Sequence, residues 1–193
     1  MRQMAENNTK NQIVDAANRL FYQEGIRAVS VDAVAEAAGV TKKTLYYHFK
    51  SKDELVTSYL ESRDHPNLAL FSKWFDDADG DVTDKTAEIF LKVAQNARHP
   101  KWKGCGFIRT VAELANMPGH PAVLVGANHK KKFEAWLSEQ YQSAGHCRPE
   151  RLARSIVLLM EGAFSAMLIH RDATYAEDAA ETARELVAIS KKR

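Results

Sequence analysis

A chain of 193 residues with 45% hydrophobic and 27% charged residues has the makeup of a soluble globular protein long enough to bury a real core. Its net charge of only +2 excludes a polycation, so any affinity for nucleic acid must come from local clustering. No unbroken apolar run approaches the roughly 18 to 20 residues that span a bilayer, and two cysteines without an export signal point to a reducing cytoplasm rather than a disulfide scaffold.

Almost every segment reads with helical period. Residues 9–24 set Ile13, Ala16, Ala17, Leu20 and Phe21 on one stripe, with Thr9 and Gln12 as an expected capping box and Gly25 as the closing residue. A short helix is expected from Val31 to Ala38, with Ser30 as N-cap and Gly39 closing it. Another runs from Lys42 to Phe49 behind Thr41. A fourth opens on Ser51-Lys-Asp-Glu54, a complete capping box, and heads toward Trp74; Pro66 is expected to kink or end it near His65. Further helices are expected over residues 83–98, 106–117, 121–144, 149–170 and 175–191, the last behind a Thr174–Glu177 capping box. No segment alternates with period two for long enough to form a strand, so the chain is expected to be all-α.

Helices two and three are joined by Ala-Ala-Gly-Val-Thr. Small residues, a glycine for the left-handed turn and a valine to bury beneath it make a helix-turn-helix. From Thr41 to Lys52 the chain carries Lys42, Lys43, Lys50 and Lys52 and no acid. A helix entering the major groove needs basic or small residues at its N-terminal end for base edges, and hydroxyls and lysines on its flanks for phosphates. Leu45 and Phe49 are expected to face inward. Catalysis finds no support: G-x-S-x-G, a glycine-rich phosphate loop and H-E-x-x-H are all missing from the sequence, and its seven histidines include no i, i+4 pair. Neither a cofactor nor a metal is expected.

The stretch VDAVAEAAGVTKKTLYYHFKSKDELV, with IVDAANRLFYQEGIRAVSVDAVA leading into it, resembles the DNA-binding domain of the TetR family of one-component bacterial transcriptional regulators over residues 10 to 60. The resemblance implies an N-terminal three-helix helix-turn-helix domain, set at residues 1–55, and a larger C-terminal helical ligand-binding and dimerisation domain at residues 56–193. Carried over by position, Thr41, Lys42, Lys43 and Thr44 would lie over the groove, Tyr46, Tyr47, His48 and Lys52 would contact the DNA backbone, and Ser30 would anchor the second helix. Lys42 and Lys43 would either read guanine or hold phosphate. The implied protein is a repressor that binds a palindromic double-stranded operator as a homodimer in the bacterial cytoplasm, on the nucleoid when bound. A small, partly hydrophobic effector of unknown identity would release it, and no membrane is involved.

For that effector, Trp74, Phe90, Trp102, Phe107, Phe133, Trp136, Met160, Phe164 and Met167 are candidates as core or pocket lining. Glu113 and Glu161 sit in apolar helices, where each must meet a ligand or a neighbouring helix. The helix around Ile156 is apolar nearly all round and the last helix is rich in alanine. Two copies packing as a four-helix bundle through Leu152, Ile156, Leu159, Ala163, Ala179, Ala183, Leu186 and Val187 would satisfy both. Cys105, between two glycines and near Lys101, Lys103 and Arg109, gives an alternative, a cysteine-based redox-sensing regulator.

Overall fold

A computed structural model of the chain describes residues 2–191, which form helices joined by turns, with no strand among them. The helices are α1 (Arg2–Glu24), α2 (Val31–Ala37), α3 (Lys42–His48), α4 (Lys52–Asp77), α5 (Val82–Ala97), α6 (Gly106–Glu113), α7 (Pro121–Ser143), α8 (Pro149–His170) and α9 (Thr174–Ser190). They gather into two units. The first holds the chain through His65 together with Cys105–Ala127; the second holds Pro66–Gly104 and the chain from Asn128 onward.

In the first unit α1, α2 and α3 pack on one another. The expected stripe of Ile13, Ala16, Ala17 and Phe21 is buried, and Leu45 and Phe49 of the third helix close on the same cluster. Gly25 ends α1 at φ 92°, donating its N–H to the Phe21 carbonyl at 3.0 Å. Gly39 takes φ 66° in the turn between α2 and α3, a left-handed position that glycine occupies without Cβ strain. Val40 is only half-buried against the cluster.

Four boundaries differ from the sequence reading, each for a physical reason. α1 begins at Arg2 rather than residue 9, because Arg, Gln, Met, Ala and Glu before Thr9 are all good helix formers; Thr9 therefore lies inside a helix instead of capping one. α4 runs straight through Pro66. Tyr59 and Leu60 before it and Phe75 after it are buried in their respective units, and that packing outweighs the lost donor. α6 stops at Glu113, short of 117: the chain turns through Leu114, Ala115 and Asn116, and Pro118 bars Met117 from resuming helical backbone. The Thr174 capping box is not formed: Ala173 precedes the helix without a side-chain cap, and Asp172 instead accepts the Thr174 N–H at 2.9 Å.

In the second unit α9 packs against α5 and α8. Ala176, Ala179, Ala180 and Ala183 form its buried face, where small side chains let the helices approach closely. Asp81 caps α5, accepting the Thr83 N–H at 2.8 Å, and the Lys191 ammonium lies 2.9 Å away. The hydrogen bond from Lys191 and the one from the Thr83 backbone hold the Asp81 carboxyl down at about 2. Tyr141 is fully buried and donates to the Thr86 hydroxyl at 3.1 Å, while Thr86 donates to Val82; burial pushes the phenol well above its ordinary range.

α8 corrects the reading of apolar runs. Across its 22 residues it is long and apolar enough to cross a membrane by length and composition, because Glu161 and Ser165 interrupt a run without lowering the average far. Leu152, Ile156, Val157, Met160 and Met167 are nevertheless buried within the chain, and Glu161 pairs with Lys130 at 2.7 Å. Such burial is what a core helix of a globular unit shows.

Candidate functional site

Local hydrogen bonds set each helix start of the helix-turn-helix. Ser30 accepts the Ala33 N–H at 3.1 Å and sets the start of α2. Thr41 accepts the Thr44 N–H at 3.1 Å and sets the start of α3, with the two threonine hydroxyls 2.9 Å apart. Ser51 accepts the Glu54 N–H at 3.1 Å, and the Glu54 carboxylate reaches back to the Lys50 N–H at 2.7 Å. That is the expected capping box closed one residue further out than Ser51 itself.

With Leu45 and Phe49 buried, the helical period turns the other residues of α3 outward. Thr41, Lys42, Lys43, Tyr46 and Tyr47 are exposed, Tyr47 by 70%. Thr44, His48 and Lys52 are half-buried, and Ser30 is exposed. The predicted set thus falls on the outer side of one small motif. Tyr47 and His48 meet edge to face, ring centroids 5.1 Å apart. Two contacts on this face lay outside the sequence reading. Lys42 pairs with Asp32 of α2 at 3.0 Å, and that hydrogen bond, with the carboxylate's charge behind it, raises the lysine above its ordinary value. The Tyr47 hydroxyl lies 3.4 Å from Glu6 on the extended start of α1.

The same unit contains an anchor that composition hid. Glu113 of α6 accepts both the Ile26 N–H, at 3.2 Å, and the Arg27 N–H, at 2.9 Å, in the connection between α1 and α2. Arg109, one turn earlier, donates to the Tyr22 carbonyl at 2.6 Å and lies 5.9 Å from the centre of the Tyr22 ring. His120 accepts the Ala122 N–H on Nδ1, so its Nε2 carries the proton and faces the Asp53 carboxylate at 3.5 Å. Phe107 is buried in the first unit's apolar cluster. Glu113 and Phe107, both expected in an effector pocket, lie in the first unit: the Glu113 carboxylate accepts from two backbone donors and the Phe107 ring sits in the apolar cluster.

The remaining pocket candidates lie in the second unit. Trp74, Phe133 and Trp136 gather with Phe71 and Phe75, which the sequence reading did not select. Phe71 meets Phe133 at 4.9 Å and Trp74 at 5.6 Å, Phe133 stacks on Trp136 at 5.9 Å, and Phe75 meets Trp136 edge-on at 5.2 Å. Phe90, Met160, Phe164 and Met167 are buried. The Lys130 ammonium sits 5.6 Å from the centre of the Phe164 ring while pairing with Glu161, so Glu161 is answered by a neighbouring helix. Trp102 and Met167 meet at a separate cavity of about 370 Å³.

The residues expected between two copies are placed differently. Leu152, Ile156, Ala163, Ala179, Ala183 and Val187 are buried within the single chain, Leu159 is half-buried, and Leu186 is exposed by 38%. Ala179 and Ala183 lie on the buried face of α9, which packs against α5 and α8. The outward apolar residues of the two helices include Leu158, Ile169 and Ile189, each about two-thirds exposed. On α8 they stand in line with Ser155, Gly162 and Ser165 at helical spacing. Neither cysteine is in a disulfide: Cys105 is half-buried at the start of α6 and Cys147 is exposed.

A small reading motif with a basic, hydroxyl-rich outer face, followed by a purely helical second unit, defines the class of helix-turn-helix regulators. The family model of bacterial regulatory proteins of the tetR family matches residues 13–59. The chain is 36% identical over 94 residues to the HTH-type transcriptional regulator TtgR of Pseudomonas putida, a match covering 47% of this chain and 45% of TtgR, so it spans under half of that relative. It is 31% identical over 151 residues to the HTH-type transcriptional repressor KstR2 of Mycobacterium tuberculosis, covering 75% of this chain and 72% of KstR2. The fold matches that of SCO4454, a TetR-family transcriptional regulator from Streptomyces coelicolor, with a TM-score of 0.84 at 24% identity over 96% of this chain and 97% of that one. The chain belongs to the TetR family.

Proposed function

We propose that this protein is a transcriptional repressor that binds a two-fold symmetric operator as a homodimer and is released by a small, partly hydrophobic effector. The observation that carries the reading is the outer face of α3, where Lys42, Lys43, Tyr46 and Tyr47 are exposed and the stretch from Thr41 to Lys52 contains no acid. Lys43 and Thr44 would approach base edges, Tyr46, Tyr47, His48 and Lys52 the phosphates, and Ser30 would support the second helix from the flank. Lys42 would exchange Asp32 for phosphate or guanine on docking. Functionally, residues 1–55 would read DNA and residues 56–193 would sense and dimerise, with α6 bracing the reading unit.

Dimerisation is supported by the outward line of Leu158, Gly162, Ser165 and Ile169 on α8 beside Leu186 and Ile189 on α9, an apolar, small-residue surface of the kind that packs helix on helix. Repression accords with the name borne by KstR2. Footprinting the duplex upstream of the protein's own gene across a salt series tests the reading. A protected symmetric site of about two helical turns is expected, with at least about tenfold weaker binding by Lys43→Ala and a clear loss by Tyr47→Phe. Equal binding by these variants and the wild type would remove α3 from the interface.

A further inference from the structure

The cavity of about 370 Å³ in the second unit is bounded by the connection after α5, which supplies Arg98, Pro100 and Trp102, and by the α8–α9 turn, which supplies Arg171, with Met167 at its base. That volume lies within the range of small-molecule sites. Arg171 ends α8 at φ 57°, and it is the single non-glycine residue at positive φ among the described residues. Glycine is the usual choice for such a position, and an L-residue held there marks a place worth a functional question. The charges around the cavity are accounted for except one. Arg98 pairs with Glu177 at 2.6 Å, and the Asp172 carboxylate accepts the Thr174 N–H at 2.9 Å. Arg171 has no ion-pair partner among the described residues.

We propose that this cavity binds a small aromatic carboxylate, its ring against Trp102 and Met167 and its carboxylate on the Arg171 guanidinium. The guanidinium fork matches a carboxylate in two parallel hydrogen bonds. The indole face and the thioether suit a flat ring more than an alkyl chain. The proposal gives a chemical class to the effector of the preceding section, and rests on that reading only for its consequence, release of DNA.

Titration calorimetry of the full chain with 2-naphthoate tests it, with 2-naphthamide and decanoate as comparators and circular dichroism confirming the fold of each variant. Wild type is expected to bind one naphthoate per chain, with naphthamide and decanoate at least about tenfold weaker. Arg171→Gly suits the left-handed backbone and is expected to weaken naphthoate binding by the same factor, while Arg171→Lys restores part of it. Absence of wild-type binding at millimolar naphthoate, or unchanged binding by Arg171→Gly, overturns the site. Naphthoate that binds through Arg171 and leaves operator DNA bound upholds the site and refutes its role as effector site.

Discussion

Glu113 shows what a single side chain contributes beyond its sequence context. An acid inside an apolar helix invites a ligand reading, yet its two oxygens satisfy the Ile26 and Arg27 N–H groups, which sit in a connection that α1 and α2 leave without helical partners. Hydrogen bonds to a charged acceptor are worth more than neutral ones, and removal of the acceptor strands the part-buried Ile26 donor. Glu113→Ala is therefore expected to lower stability by about 1 to 3 kcal/mol, read from the urea midpoint; a change within about 0.5 kcal/mol, the range of ordinary surface substitutions, would show the anchor to be idle. The outward residues of α3 were legible because local period and capping alone decide their direction. The Lys42–Asp32 pair and the Glu113 anchor were not, because they join residues whose approach depends on how helices cross.

At the scale of an element, helix ends were legible where side chain and backbone lie within four residues, as at Ser30, Thr41, Ser51 and Gly25. They failed where distant packing intervenes. Pro66 lowers helix propensity, but α4 is fixed by burial on both sides of it. At the start of α9 a capping-box sequence lost to Asp172, whose carboxylate was better placed for the same N–H. Asp81 at the start of α5 combines both kinds of contact, local to Thr83 and remote to Lys191. Asp81→Ala is expected to cost about 1 kcal/mol at neutral pH. Because the folded carboxyl sits at about 2, below the ordinary 3.8, its contribution is complete above about 4 and is lost as pH falls toward 2. The wild-type stability curve should be steeper over that interval than the variant's, as followed by thermal melts at a series of pH values; parallel curves would show that the lowered carboxyl is not coupled to folding.

For the whole molecule the sequence spoke to fold class and reading motif, since helical period runs through nearly every segment and the helix-turn-helix is written within about twenty residues. The outer and inner faces of α8 and α9 were not legible: a helix apolar nearly all round offers no polar side to orient it, and most residues expected between two copies are buried within one. The outward line that remains sets the assembly prediction. Leu158→Glu with Ile169→Glu is expected to convert a dimer to a monomer in sedimentation velocity, with helix content unchanged and operator affinity reduced at least about a hundredfold, since half-sites no longer act together. Dimers persisting in that variant would place the interface elsewhere.

Whether α3 reads sequence in duplex DNA is tested most directly by selecting binding sites from a random duplex library with the wild type and with Lys43→Ala. The wild type is expected to enrich one two-fold symmetric motif with half-sites about one helical turn apart, and Lys43→Ala to lose preference at a defined pair of symmetric positions. A wild type that enriches no motif, or a variant that returns the same motif unchanged, would contradict the account.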